Sequence, residues 1–142
     1  MTKDVLISIS GLHYDETEEE QQVEVITPAS YYLKNGKHYV IYDELLEGVP
    51  GTIKNTVKIT GDTKFEIWKS GLADAHMVFE KGRINMTSYA TPFGDMLVGI
   101  HTKDMRVKVE EELIHIEINY ALDVNNEPLS DCEITVNIKG VH

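Results

Sequence analysis

Short runs in which apolar and polar residues alternate follow one another along the chain, and residues that favour turns separate them. Alternation with a period of two is typical of a strand that buries one face. The first run extends from Lys3 to Ser10, and the last two cover 114–122 and 134–138. No run shows the spacing of an amphipathic helix. The pattern therefore predicts an all-β chain of about nine to eleven strands.

Two turns are predicted from the pairing that they produce. Asn35-Gly36 favours a two-residue hairpin because both turn residues need positive φ, and this register places Tyr32 opposite Tyr39. Residues 61–63 are predicted as a three-residue loop. A two-residue loop there would mix the apolar and polar faces, since a slip of one residue turns every side chain over.

Three more turns continue the same aliphatic face. Lys81-Gly82 and Lys103-Asp104 are predicted as two-residue hairpins, and the former sets Met77 against Met86. A turn at Glu111-Glu112 follows. Short loops between successive strands favour an up-and-down meander, and closure removes the exposed edges of a long sheet. We predict one domain, 1–142, folded as a closed antiparallel β-barrel; a sandwich of two sheets is the alternative.

Three irregular positions are also interpreted. Pro28 is predicted to bend the second strand or to lie at an edge, because proline donates no ladder hydrogen bond. Gly99, inside a strand, suggests a sharp bend. Residues 125–128 are predicted as a loop.

Charge and cysteine content restrict the partners and the compartment. The formal net charge is −11 and no cluster of Lys and Arg offsets it, so neither nucleic acid nor an anionic membrane is expected as a partner. Cys132 is the single cysteine and cannot form an internal disulfide. We therefore expect a protein of the reducing cytoplasm.

Several short stretches in the middle and at the end of the chain carry a resemblance to a known family: 42–44, 56–59, 79–82, 89–94 and 119–122. In this order they resemble the YwiB-like family of small bacterial β-barrel proteins. The resemblance implies a calycin-type barrel, similar in shape to lipocalins and streptavidin, and implies no activity, cofactor or catalytic residue. Relatives tend to have arginine where this chain has Lys69, which places a planar anion clamp there in doubt.

Some polar residues occupy strand positions on the same face of the sheet as the aliphatic residues. They are expected to point into the barrel, where each needs a hydrogen-bonding partner. Asn55 meets this test, and Tyr42 and Glu44 share a face with Val40. The candidate ligand-binding residues are Tyr42, Glu44, Lys69, Ser88 and Tyr120. Among these, Lys69 and Glu44 are predicted to hold the polar end of a small ligand.

Residue patterns of catalysis and metal binding are absent from the sequence. No phosphate-binding glycine loop, nucleophile elbow or Cys-x-x-Cys is present, and the histidines are scattered one to a segment. Neither a metal nor a cofactor is expected. At strand positions expected on the outer face of the sheet, Trp68 and Tyr89 form a candidate self-association patch.

Three hypotheses follow. The first is a non-enzymatic barrel that binds a small apolar or weakly anionic molecule in its lumen. The second is an interaction module, such as a homodimer, whose outer sheet or edge pairs with itself or with a partner; Pro28 and the bent second strand favour an edge there, and Trp68 and Tyr89 are the anchors of the contact. The third is a small enzyme in which Glu44 and Lys69 act as acid and base.

Overall fold

The structure, a computed structural model, describes residues 1, 3–11, 24–45 and 48–141, except for the side chains of residues 24, 129 and 130. The strands in these ranges are β1 (Asp4–Ser10), β2 (Glu24–Lys34), β3 (Lys37–Glu44), β4 (Ile53–Thr60), β5 (Lys64–Gly71), β6 (Ala75–Glu80), β7 (Ile84–Thr91), β8 (Gly94–Val109), β9 (Leu113–Val124) and β10 (Glu127–Gly140). Within the same ranges, no helix has the length and apolar character that crossing a membrane requires.

The ten strands form one sheet in the order β6-β5-β4-β3-β2-β1-β10-β9-β8-β7. Every neighbouring pair is antiparallel, and β1 pairs with β10 so that the two ends of the chain meet. The sheet rolls up until β6 faces β7, which makes a nearly closed up-and-down barrel. The predicted all-β architecture is confirmed.

Closure is incomplete at the seam between β6 and β7. One antiparallel bridge joins them at one end, where the backbone N–H groups of Asp74 and Ala90 each donate to the other residue's carbonyl at 2.9 Å. At the other end, the N–H of Gly82 donates to the carbonyl of Thr102 on β8 at 3.0 Å. Between these points the described residues form no β6–β7 ladder.

Three predicted registers are confirmed. The Asn35-Gly36 hairpin sets Tyr32 opposite Tyr39, and the two rings stack with centroids 4.8 Å apart. The three-residue loop at 61–63 pairs Ile59 with Phe65. The turn at Glu111-Glu112 pairs Val107 with Ile116 and Val109 with Ile114 in the predicted register.

The predicted hairpin at Lys103-Asp104 is wrong, because β8 runs straight through it. The pairing of β8 with β9 shifts by one residue between Thr102 and Asp104, which is a β-bulge at Lys103. A bulge reverses the alternation of a strand by inserting one residue. A two-residue hairpin would also place residues 102 and 105 on the same face, so the apolar pattern does not distinguish the two. The chain reverses instead at Pro92-Phe93, between the paired residues Thr91 and Gly94.

The predicted two-residue hairpin at Lys81-Gly82 is also wrong. The bridge between Asp74 and Ala90 fixes a register one residue away from the one that opposes Met77 to Met86. Residues 81–83 make the connection, and the faces of β7 are reversed. Ile84 and Met86, expected inside, are 64% and 50% exposed.

Pro28 lies at a local edge, as predicted. It pairs with Leu6 of β1, whereas the pairing of β2 with β3 begins at Ser30–Ile41. Among the described residues, 24–29 of β2 make no pair with β3, so the sheet splits there. We call this gap the β2–β3 split.

The loop predicted at 125–128 is shorter than expected. Only Asn125 and Asn126 form the turn, with φ of 52° and 67°, and β10 begins at Glu127. The bend predicted at Gly99 stays a prediction, but a Cβ added there would lie 2.8 Å from the sulfur of Met86, which covers the glycine.

Three aromatic rings pack together inside the barrel. Phe79 packs on Phe65 with ring centroids 5.8 Å apart, and the ring of Tyr120 lies nearly perpendicular to that of Phe79 at 5.1 Å. Aliphatic side chains such as Ile59 and Ile116 are fully buried in the same core. The end of the barrel at which β3 and β7 end is called the rim.

Candidate functional site

A cavity of about 530 Å³ occupies the lumen at the rim. Val25 and Thr27 of β2 line it on one side of the β2–β3 split, and Tyr42 and Glu44 of β3 line it on the other. Its remaining walls are mainly apolar: Ile9, Leu45, Ile67, Met77, Phe79 and Ile134, with Asp43, Lys69 and Tyr89. We call this space the first cavity.

Three polar side chains meet on its wall. The ammonium of Lys69 lies 2.9 Å from Glu44 Oε1 and donates to Asn55 Oδ1 at 2.7 Å. Asn55 Nδ2 donates to the same Glu44 oxygen at 3.0 Å. We call these three residues the polar triad.

The strand registers explain the triad. Asn55 of β4 lies opposite Tyr42 of β3 and opposite Lys69 of β5. Glu44 follows Tyr42 by two positions and therefore returns to the same face of the sheet. Two charges from strands that do not pair with each other are thus joined through the strand between them.

Burial differs strongly within the triad. Asn55 is fully buried, and both ends of its amide are hydrogen-bonded. The side chain of Lys69 is 12% exposed and that of Glu44 is 38% exposed. An ammonium has three donors, and the described side chains engage two of those of Lys69. Lys69 is also one of the residues that line the first cavity.

The electrostatics of the site fix the charge of Glu44 and the protonation of Tyr89. Burial acts to raise the pKa of Glu44, but the charge of Lys69 and hydrogen bonds from Lys69 and Asn55 outweigh it and hold the pKa below its usual value. Burial, and then the negative charge of Glu44, raise the pKa of Tyr89. The site therefore presents an ionised carboxylate and a protonated phenol.

One of the two predicted tyrosines lines the first cavity. Tyr42 is 8% exposed and is part of its wall. Tyr120 is 2% exposed and contacts the ring of Phe79, and it is not among the residues that line this cavity. The structure thus brings Tyr42, Glu44 and Lys69 together at the first cavity, with Tyr120 packed against the wall residue Phe79.

Ser88 is not part of the site, and its predicted inward orientation is wrong. It is exposed on the outer face of β7, because the connection at 81–83 is one residue longer than predicted. The same shift turns Tyr89 inward, where sequence reasoning did not place it. The inward position of Tyr89 follows from the three-residue connection at 81–83, which the local sequence does not signal.

The predicted surface pair of Trp68 and Tyr89 is wrong for the same reason, since the two side chains lie on opposite faces of the sheet. Trp68 stacks on His76 with ring centroids 4.3 Å apart, and the ammonium of Lys58 lies 5.9 Å from its ring centroid. These contacts are of the kind that stabilise neighbouring strands.

A second cavity, of about 620 Å³, lies beside the first at the rim. Met77 and Tyr89 line both cavities. The other residues of the second cavity are Thr91, Phe93, Gly94, Asp95, Met96, Val98, Leu122 and Val124. Its surface is thus mainly apolar.

No three His, Cys, Asp or Glu side chains group as metal ligands in the part of the chain that the structure describes. His76 instead contacts Glu66 at 2.8 Å, and His115 contacts Asn137 at 2.6 Å.

Comparison with known proteins assigns the family. The family described as a domain of unknown function, DUF1934, matches residues 7–136. The chain belongs to this family. It is also 26% identical over 121 residues to the uncharacterized β-barrel protein YwiB of Bacillus subtilis (strain 168), a match that covers 85% of this chain and 83% of the relative. The YwiB-like resemblance is confirmed.

A solved structure shows the same fold. The crystal structure of the ywiB protein from Bacillus subtilis matches with a TM-score of 0.82 and 21% sequence identity. The match covers 99% of this chain and 93% of the other. The family is thus an uncharacterised β-barrel family, and the fold is common to both members.

Proposed function

We propose that this barrel is a non-enzymatic binding protein whose first cavity takes a small, mostly apolar molecule with one weakly anionic or uncharged polar end. The observation that carries the proposal is the rim cavity of about 530 Å³ with the polar triad on one wall. This volume falls within the usual range for ligand sites, and a few polar groups on an apolar wall are typical of them.

The triad selects the polar end of the ligand. Lys69 and Glu44 cancel each other in formal charge, so the wall offers a donor and an acceptor without a net charge. The whole chain carries a formal charge of −11, which repels strongly anionic groups. A carboxylate, hydroxyl or amide fits these conditions better than a phosphate dianion.

The opposite walls bind the apolar part. Ile9, Met77 and Phe79 expose hydrocarbon to the cavity, and Ile134 adds to it. Removing apolar surface from water yields about 25 cal/mol per Å². The affinity of the site is expected to come mainly from this contact, with the triad fixing orientation.

An acid–base enzyme is less well supported. Because the pKa of Glu44 is lowered, its carboxyl is a poor proton donor near neutral pH. The homodimer loses its aromatic anchor with the separation of Trp68 and Tyr89, and keeps only the edge of β2 near Pro28 in its favour. The cytoplasmic location is proposed on Cys132, which is the single cysteine and is buried.

Calorimetric titration with decanoate, decan-1-ol and decyl phosphate tests the proposal. Decanoate and decan-1-ol should bind, and decyl phosphate should bind about tenfold more weakly because of the charge repulsion. Thr27→Phe, which places a ring in the first cavity, should abolish binding of all three. If none of the three binds the unaltered protein, or if Thr27→Phe leaves their affinity unchanged, the proposal is wrong.

A charge-neutral double variant tests the triad itself. Lys69→Met combined with Glu44→Gln should weaken the binding of decanoate more than that of decan-1-ol. The reason is that the ammonium of Lys69 attracts the charged carboxylate and not the uncharged hydroxyl. The matched control is Lys103→Met with Asp131→Asn, at an exposed pair with a separation of 2.7 Å. Equal losses for both ligands in the triad variant would remove Lys69 from the proposed site.

A further inference from the structure

The rim holds two cavities with a shared wall, and this arrangement specifies the shape of the ligand. We infer that the second cavity is the subsite for the hydrocarbon tail of a linear amphiphile, such as an n-alkyl carboxylate, whose polar end is held at the polar triad. The inference rests on the proposed function and adds the ligand class and the residues that limit its length. Met77 and Tyr89 are the partition between the two subsites.

The lining of the two cavities fixes the orientation of the amphiphile. Among the described residues that line either cavity, Lys69 is the single cationic side chain. In the first cavity Lys69 accompanies the acidic Asp43 and Glu44, whereas the described wall of the second cavity has Asp95 and no cationic side chain, and its inner surface is formed by Val98 and Leu122. The negative end therefore lies at the first cavity and the tail lies in the second.

The partition stands where the sheet is least constrained. Met77 belongs to β6 and Tyr89 to β7, the two strands that face each other across the seam. Within the described residues, this seam has a single bridge, at Asp74 and Ala90. A displacement of either side chain thus breaks no ladder hydrogen bond, and methionine adapts its shape easily.

The volumes are consistent with one extended ligand. The two cavities measure about 530 and 620 Å³. The volume of each cavity alone is within the range of ordinary ligand sites, and the combined volume of the two exceeds that range. A short amphiphile fills the first cavity, and a longer one must pass the partition to bury its remaining methylenes.

A series of n-alkyl carboxylates from about six to sixteen carbons, titrated calorimetrically, measures the length limit. Affinity should rise about fourfold for each methylene buried, and stop rising when both cavities are filled. Val98→Phe, which fills the second cavity, should move this limit to chains several carbons shorter and leave hexanoate binding unchanged. Val109→Phe, the same substitution at an exposed position of β8, is the matched control and should leave the whole series unchanged.

Tyr89→Leu tests the partition directly. A smaller side chain there should strengthen binding of the longer chains more than that of hexanoate, so that the ratio of the two affinities rises; an unchanged ratio would contradict the partition. Thermal unfolding of each variant checks that the barrel is intact, and Val124→Phe, nearer the surface of the second cavity, replaces Val98→Phe if the latter does not fold.

The outcomes separate the two proposals. If no carboxylate binds the unaltered protein, the proposed function is wrong and this inference falls with it. If short carboxylates bind but the length limit is the same in the unaltered protein and in the Val98→Phe variant, the assignment of the second cavity as the tail subsite is wrong. The proposed function then stands.

Discussion

The ammonium of Lys69 and the carboxylate of Glu44 lie 2.9 Å apart, although 25 positions separate these residues in the sequence. They belong to β5 and β3, which do not pair with each other, and β4 lies between them. The fully buried amide of Asn55 on β4 bonds to both. The position of each charge thus depends on a residue that carries none.

Asn55→Ala should destabilise the fold by about 2–3 kcal/mol, because it removes two hydrogen bonds and leaves a small void at a fully buried position. Urea unfolding at pH 7 measures the difference. The control is Asn119→Ala on the outward face of β9, expected to change stability by less than about 0.5 kcal/mol. Equal effects of the two substitutions would contradict the role given to Asn55.

The lowered pKa of Glu44 links stability to pH. A carboxyl whose pKa is lower in the folded than in the unfolded state contributes stability above its ordinary value of 4.5, and this is lost as pH falls through the folded value. Acidification from pH 7 to 3 should therefore destabilise the unaltered protein more than it destabilises the Glu44→Gln variant.

Urea unfolding across this pH range checks the sign, and an NMR titration of the Glu44 side-chain carboxyl reports the pKa itself. The exposed Glu133→Gln is the control and should retain the pH dependence of the unaltered protein. A Glu44 pKa above 4.5 would refute the assignment of Lys69 and Asn55 as the dominant influences.

Hydrogen exchange should reveal the incomplete seam. Since the N–H of Asp74 points toward β7 and donors alternate along a strand, the N–H of Val78 also points into the seam. The N–H of Phe79 points instead toward β5, where it faces Phe65. The amide of Val78 should exchange faster than that of Phe79 in NMR measurements. Equal protection of both would mean that β6 and β7 form a continuous ladder.

Two glycines with positive φ should respond differently to alanine. Gly71 has φ of 105°, and an added Cβ would lie 2.7 Å from the backbone carbonyl oxygen of Thr52. Gly61 has φ of 55° and no atom within 4 Å of that position. Gly61→Ala should cost about 1 kcal/mol, from backbone conformation alone. Gly71→Ala should cost more, since the backbone at Thr52, just before β4, must move. Thermal unfolding that ranks the two in the opposite order would be inconsistent with this contact.

The sequence predicted most of the barrel because its local signals agree with its apolar pattern. Asn35-Gly36 requires its turn type, and the loop at 61–63 is the one that keeps Ile59 and Phe65 on a common face. The pairing of Glu44 with Lys69 also followed from parity, since each shares a face with buried aliphatic neighbours on its own strand.

The errors arose where two structures satisfy one apolar pattern. A bulge at Lys103 and a hairpin there both keep Ile100 and Val107 on one face, and pairing with β9 over the whole of β8 decides between them. At 81–83, the prediction paired Met86 with Met77. The closing of the barrel sets a different register there, and no local signal at Ser88 or Tyr89 reports it.

The separation of the cavity walls from much of the buried core has a practical consequence for protein engineering. Fully buried aliphatic residues such as Ile7, Ile114 and Val136 line neither cavity, so substitutions confined to the cavity walls leave these side chains in place. Mutant libraries at the wall positions therefore offer a route to new ligand specificities on this scaffold.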